Sequence, residues 1–207
     1  MKIYDFKGFP NPARVRMAVA EKSLADRVEY VTVNVPEGEH KAAPFTAKNP
    51  AAAVPVLELD DGTCIAECTA ITEYLDNVAG EPTLTGKSPR ERAVIHMMQR
   101  RAEATLLDAV ATYFHHATPG LGPHIETYQN REWGEKNRER ALDGMRYLDR
   151  VLGKQSFVAG NVFSMADITA FAGLIFADVA KIAIPAELTK LHSWRANIAA
   201  RPSVKSI

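Results

Sequence analysis

The stretch VPVLELDDGTCIAE, residues 54–67, decides the fold. PVLEL and TCIAE flank Asp60, Asp61 and Gly62, the turn chemistry of tightly joined antiparallel strands, since glycine enters positive φ without a Cβ penalty. Upstream, KIYDF (residues 2–6) alternates weakly and reads as a strand. It is followed by a Pro-rich loop and a segment, PARVRMAVAEKS, with Val15, Ala18, Val19 and Lys22 at helical spacing and Pro12 where a first-turn proline is tolerated. VEYVTVNV, residues 28–35, is β-branched and alternating; with a helix between them, the first two strands are expected to be parallel. Downstream, ECTAITEYLDNVAG reads as a helix ending at Gly80. The order is βαβ followed by ββα.

From residue 89 the strand signal disappears. PRERAVIHMMQRRAEATLLDAVATYFHHA, NREWGEKNRERALDGMRYLDRVLG, SMADITAFAGLIFADVAKI and a last amphipathic segment with Leu188, Leu191, Trp194 and Ile198 all carry helical periodicity. The intervening residues 81–88, EPTLTGKS, are dense in Pro, Gly, Ser and Thr, as a domain boundary should be. The expected organisation is an α/β domain over 1–80, a linker over 81–88 and an all-α domain over 89–207.

Lys plus Arg and Asp plus Glu number 25 each in 207 residues, without long runs of one sign, so nothing marks a nucleic-acid or anionic-membrane surface. No signal-like apolar core and no bilayer-length apolar stretch occurs, which predicts a cytoplasmic protein without membrane association. The two cysteines, Cys64 and Cys68, are spaced C-x-x-x-C, which fits neither a redox C-x-x-C pair nor a four-ligand zinc site, and no metal is expected.

Four further signals occur in order. Val54-Pro55 opens the hairpin, and by residue type alone Pro55 could simply start an edge strand. Glu67-Cys68 stands at a strand-to-helix junction, where an acidic side chain by itself reads as a helix-end group. GEHK, residues 38–41, taken alone is a solvated loop, and FSMADITAF, residues 163–171, contains a capping box in which Ser164 and Asp167 answer each other. With these signals, the βαβ–ββα plus helical order resembles the cytosolic glutathione transferases over nearly the whole chain. Segments such as PVLELDDGT, AECTAITEYL, HHATPGLGP and FSMADIT resemble the yeast-type bacterial and fungal branch. That branch lacks the usual Tyr, Ser or Cys in the active-site loop and uses a water held by side chains of the helical domain.

The resemblance implies a thioredoxin-like N-terminal domain with a cis proline at Pro55. It also implies glutathione as a co-substrate rather than a permanently bound cofactor, conjugation to small hydrophobic electrophiles in detoxification, and a homodimer. It assigns the backbone of Val54, before Pro55, to an extended peptide ligand. It assigns Glu67, Cys68 and the helix N-terminus to the γ-glutamyl group, whose carboxylate suits unpaired amides and whose ammonium suits an acidic neighbour. His40 and Lys41 fall to the glycyl carboxylate, with Lys41 favoured because its charge is independent of pH near neutrality. Cys68 replaces the family serine, and a thiol is the weaker donor, so the backbone amide would carry most of that contact.

In this family the sulfur of glutathione must be held as a thiolate to attack an electrophile. Lowering a thiol pKa by about two units requires about 2.7 kcal/mol. A charge-assisted hydrogen bond supplies about 1.5–3 kcal/mol and a helix N-terminus about 0.3–1 kcal/mol, so one well-placed donor nearly suffices. Asn11, between Pro10 and Pro12 just before the first helix, is the candidate donor, but it cannot accept a proton. Either solvent takes the proton, or a base in YFHHATPG (residues 113–120) takes it through water, with His115 and His116 as candidates and Thr118 as a water ligand. The histidines, as neighbours on a helix, point about 100° apart and cannot share one pocket. Phe9, Tyr113, Phe114 and Leu121 are the candidate lining of an electrophile pocket and equally suit plain core.

Two other classes remain open. A thiol–disulfide oxidoreductase would need a reactive cysteine near residue 11, and there is none, although Cys68 sits at a helix start. A non-catalytic interaction module on the same fold is compatible with the missing Tyr, Ser or Cys.

Overall fold

The structure is a computed structural model describing residues 1–207. It has two compact units: Met1–Leu84 with Pro202–Ile207, and Thr85–Arg201. In the first unit, β1 (Lys2–Asp5), α1 (Pro10–Glu21), β2 (Glu29–Thr32), the short α2 (Ala43–Thr46), β3 (Val56–Glu58), β4 (Cys64–Ile65) and α3 (Cys68–Val78) follow in order. The sheet order is β2-β1-β3-β4. β1 and β2 are parallel, whereas β3 is antiparallel to β1 and to β4, with Leu57 opposite Ile65. This is the thioredoxin-like βαβ–ββα arrangement expected from the chain order. The strands are shorter than the sequence suggests, β3 and β4 giving way to a turn in which the Leu59 amide donates to the Thr63 carbonyl at 2.9 Å. Gly62 takes φ 85° there, and Asp61 Oδ1 accepts from the Thr63 amide at 2.9 Å.

Burial alternates along β1 and covers both faces of β3. Ile3, Val56 and Leu57 are fully buried, and Val33, Phe45 and Val56 form a cluster with Tyr4 and Val54 packed on it. Arg16 of α1 fixes the helix to β1 through both Asp5 carboxylate oxygens, at 2.6 and 3.0 Å, and stacks 3.9 Å over the Tyr30 ring. A planar two-toothed contact of this kind is worth more than a point charge. Fully buried Asp76 of α3 pairs with Lys22 at 2.9 Å and accepts from the amides of Thr83 and Leu84, securing the segment that leaves the unit.

The second unit is helical: α4 (Pro89–Ala102), a π-helical stretch (Glu103–Leu107), α5 (Asp108–Ala117), α6 (Arg131–Leu152), α7 (Met165–Val179) and α8 (Thr189–Ala199). The uninterrupted periodicity of residues 89–117 hides the π-helical stretch. Close neighbours accompany it: a Cβ on Gly144 of α6 would lie 2.4 Å from the Thr105 carbonyl oxygen, and one on Gly173 of α7 would lie 2.9 Å from the Leu106 side chain. Glycine there lets the helices approach through backbone. Asn130 caps α6 by accepting from the Trp133 amide at 3.0 Å, and two capping boxes start α4 and α7. The expected Ser164/Asp167 box is joined by Ser88/Glu91, which the S-x-x-E spacing also encodes. Asp167 additionally accepts from the Val158 amide at 2.8 Å and Trp194 Nε1 at 3.1 Å, tying α7 to α8. Burial pushes its carboxyl up to about 6, against the pull of these donors.

The C-terminal residues depart from the expected 89–207 span. Pro202–Ser206 form a short 3-10 helix in the first unit, where Ser203 Oγ donates to Glu21 Oε1 of α1 at 2.5 Å. Residues 182 positions apart share this contact, which no local pattern could announce. No helix is long and apolar enough to cross a membrane.

Candidate active site

In the first unit, Val54-Pro55 is a cis peptide bond. Continuing the β3–β4 register by two residues sets Pro55 across from Glu67, so the hairpin delivers both to one end of the sheet. Glu67 takes φ 67° and ψ 120° and stands at the start of α3 without capping it through its side chain. A left-handed non-glycine residue costs on the order of 1–3 kcal/mol and concentrates at working sites. The first-turn amides of α3 have no intrahelical acceptors and lie beside an exposed carboxylate.

Asn11 corrects the sequence reading in one respect. The helix begins at Pro10, so Asn11 lies inside the first turn rather than before it, because Pro10 and Pro12 both accept first-turn φ. Its side-chain oxygen accepts from Arg14 Nη1 at 3.0 Å, leaving the NH₂ exposed and without an acceptor in the chain. Its backbone oxygen accepts from Cys68 Sγ at 3.5 Å. That contact brings the N-terminal turns of α1 and α3 together, and it gives buried Cys68 a structural task.

His40 and Lys41 lie in a 3-10 turn, Glu39–Lys41, with His40 buried and Lys41 exposed. Burial, and then the Lys41 charge, hold the His40 imidazole below its ordinary range, and its Nδ1 has no partner. His40 is thus the neutral member of the pair near neutrality. Phe9 is half-buried and meets Phe6 edge-on, with centroids 4.9 Å apart.

The second unit's candidates are mostly engaged with one another. His115 Nδ1 lies 2.7 Å from Glu126 Oε1, with the His115 side chain 40% exposed and that of Glu126 only 9%. The same oxygen accepts from the Leu121 amide at 2.9 Å. His116 Nδ1 accepts from the Asn130 amide at 3.1 Å, so the histidines diverge to different partners, as their 100° offset requires. Gln129 Nε2 donates to the carbonyls of His115 and Thr118, both at 2.7 Å, closing the end of α5. Thr118, the expected water ligand, is engaged at the end of α5. Its hydroxyl donates to the Phe114 carbonyl at 2.6 Å and accepts from the Gly120 amide at 3.1 Å, the bonds of a helix terminus. Phe114 packs on Phe176 at 5.2 Å, while Tyr113 and Leu121 are half-buried.

Two contributors escape sequence reasoning. Glu126 sits in a loop 11 residues after the histidine it meets. Asn49 is buried and spans the loop before Pro55, donating through Nδ2 to the Ala53 carbonyl at 2.7 Å and accepting from the Ala51 amide at 3.1 Å. The N-P pair at residues 49–50 was the only available signal, and it reads simply as turn chemistry. No group of three His, Cys, Asp or Glu residues is disposed to hold a metal ion.

Residues 10–78 match the family described as Glutathione S-transferase, N-terminal domain, and residues 104–202 match Glutathione S-transferase, C-terminal domain. Glutathione S-transferase 2 of Saccharomyces cerevisiae is 58% identical over 207 residues, covering 100% of this chain and 89% of that protein. The crystal structure of Gtt2 from the same yeast superposes with a TM-score of 0.98 at 58% identity over 99% of both chains. A glutathione S-transferase domain-containing protein of Marinobacter aquaeolei VT8 superposes with a TM-score of 0.97 at 60% identity, covering 99% of this chain and 100% of that one.

Proposed function

As the chain belongs to the glutathione S-transferase family and is a glutathione transferase, we propose that its first unit binds glutathione and stabilises the thiolate through Asn11. The observation that carries this reading is the set of unpaired polar groups joined by the Cys68–Asn11 contact: the Asn11 NH₂, the uncapped start of α3 and the Glu67 carboxylate. To these the hairpin adds the Val54 amide, which makes no hydrogen bond within the chain. An extended tripeptide pairs its backbone with Val54, places its γ-glutamyl carboxylate on the α3 amides and its ammonium on Glu67, and directs its glycyl carboxylate to Lys41. His40, buried and held neutral, is the lesser candidate for the same carboxylate.

The chemical step is attack of the sulfur on a small hydrophobic electrophile. The Asn11 amide donates to the sulfur and, with the dipole of α1, lowers the cost of its negative charge. The proton leaves to solvent in the simplest scheme, which requires no base. The helical unit supplies the electrophile-binding aromatic residues, Tyr113 and Phe114. His115 with Glu126 is its candidate base, and His116 and Thr118 are structural. Cellular detoxification, cytoplasmic residence and a homodimer complete the proposal.

The decisive measurement is an ultraviolet titration of the glutathione thiolate bound to the protein, compared with free glutathione. A bound midpoint about two units below the free value, near 8.5, supports thiolate activation. Saturable binding with an unshifted midpoint removes it and leaves an interaction module.

A further inference from the structure

Asn49 is the residue through which the fold aims the Val54 amide. The Ala53 carbonyl and the Val54 N–H belong to one planar trans peptide and therefore point in opposite directions. The Asn49 side chain, buried beneath the loop, holds the Ala53 oxygen at 2.7 Å. Fixing that oxygen inward fixes the Val54 N–H outward, and the Val54 amide indeed finds no acceptor in the chain. The Asn49 side-chain oxygen takes the Ala51 amide at 3.1 Å and its backbone oxygen takes the Ala52 amide at 2.9 Å, while Ala52 holds φ 50°. Residues 49–53 are thus wound around a single side chain, which holds the 53–54 peptide plane by its carbonyl while the Val54 side chain packs on the Val33, Phe45 and Val56 cluster.

We infer that Asn49 is a positioning residue for glutathione: it never touches the ligand, but it orients the backbone donor that meets the carbonyl of the ligand's middle residue. This rests on the reading of Val54 as a ligand anchor given above. An alternative role as a mere loop brace would affect stability and leave ligand recognition alone.

The test is a cycle of two proteins and two ligands, glutathione and its analogue with the cysteinyl carbonyl changed to a thioamide, a weaker acceptor. Binding is read by calorimetry and stability by thermal melting. Asn49→Ala removes both side-chain bonds, whereas Asn49→Asp retains shape and the acceptor for Ala51 but loses the donor to Ala53, so a folded variant is available if the alanine form fails. One aimed hydrogen bond corresponds to about a tenfold change in affinity. The wild type is expected to bind the thioamide about tenfold more weakly than glutathione. Each variant is expected to bind glutathione about tenfold more weakly while losing less than about twofold further with the thioamide, because the same hydrogen bond is removed twice. Turnover at saturating glutathione should stay within about twofold, with the effect in KM. Unchanged glutathione affinity in the folded variants, or a full tenfold thioamide penalty persisting in them, overturns the role of Asn49. A wild type indifferent to the thioamide overturns it at its root by removing the Val54 anchor itself.

Discussion

The two units treat their polar side chains differently. In the first, Asn11 offers an unused NH₂, Val54 an unused amide, and α3 starts uncapped beside Glu67. In the second, Ser88, Asn130 and Ser164 cap their helices, and His115, His116, Thr118 and Gln129 have partners within the same unit, while buried Gln99 Nε2 is an exception without a partner. A polar group left unpaired in a folded protein costs free energy, so a concentration of such groups marks where a ligand completes the set. Engaged groups mark architecture. The difference runs without reference to residue type: the side chains of His115 and His116 are engaged within the chain, whereas the Asn11 NH₂ has no acceptor in it.

Substitutions on the two sides should break in different ways. The largest effect is expected at Asp167, whose carboxylate accepts from Val158, Ser164 and Trp194. Asp167→Ala orphans these buried donors and should cost about 3–5 kcal/mol in urea unfolding, with little change in glutathione affinity for the fraction that folds. Because burial raises the Asp167 pKa to about 6 from 3.8, the native state holds this proton at higher pH than the unfolded chain. The group's contribution is greatest below about pH 4 and is lost as pH rises through 6. The stability gap between wild type and Asp167→Asn should accordingly widen as pH falls from 7 to 4, and a constant gap would show that the carboxyl keeps its ordinary pKa.

Next in size, Gly144→Ala should destabilise by about 2–3 kcal/mol, although alanine is the better helix former by roughly 1 kcal/mol, because its methyl would meet the Thr105 carbonyl at 2.4 Å. A neutral or stabilising result in thermal melting would mean that α6 can slide away from the π-helical stretch.

Asn11→Ala probes the opposite side of the comparison. It should leave unfolding within about 0.5 kcal/mol of wild type, while lowering kcat/KM by about 10–100-fold and raising the bound thiol midpoint, as expected for loss of one hydrogen bond to an anion. Wild-type kinetics in this variant would move thiolate stabilisation elsewhere. The smallest effect is expected from Thr118→Val. It removes the hydroxyl that donates to Phe114 and accepts from Gly120 and should cost about 1 kcal/mol of stability, with kcat/KM within twofold. A tenfold kinetic loss at unchanged stability would restore Thr118 as a water ligand.

Local chemistry made part of this readable in advance. The βαβ–ββα order, the Asp61–Gly62 turn and the Ser164/Asp167 box each depend on residues a few positions apart, and each is present. Val54, Glu67 and Lys41 could be named only through the family resemblance, and Asn11 from its place between two prolines at the start of the first helix. What those boundary groups bond to depended on partners far away in the chain or on backbone atoms, which carry no sequence signature. Whether Thr118 keeps a free hydroxyl was decided by the Phe114 carbonyl, the environment of His115 by Glu126, the tilt of the peptide before Val54 by Asn49, and the place of the C-terminal turn by Ser203 meeting Glu21. The sequence determined which elements form and which residues stand at their ends. Only tertiary packing, through hydrogen bonds to main-chain atoms and to residues distant in sequence, decided which of those residues remained free to receive a ligand.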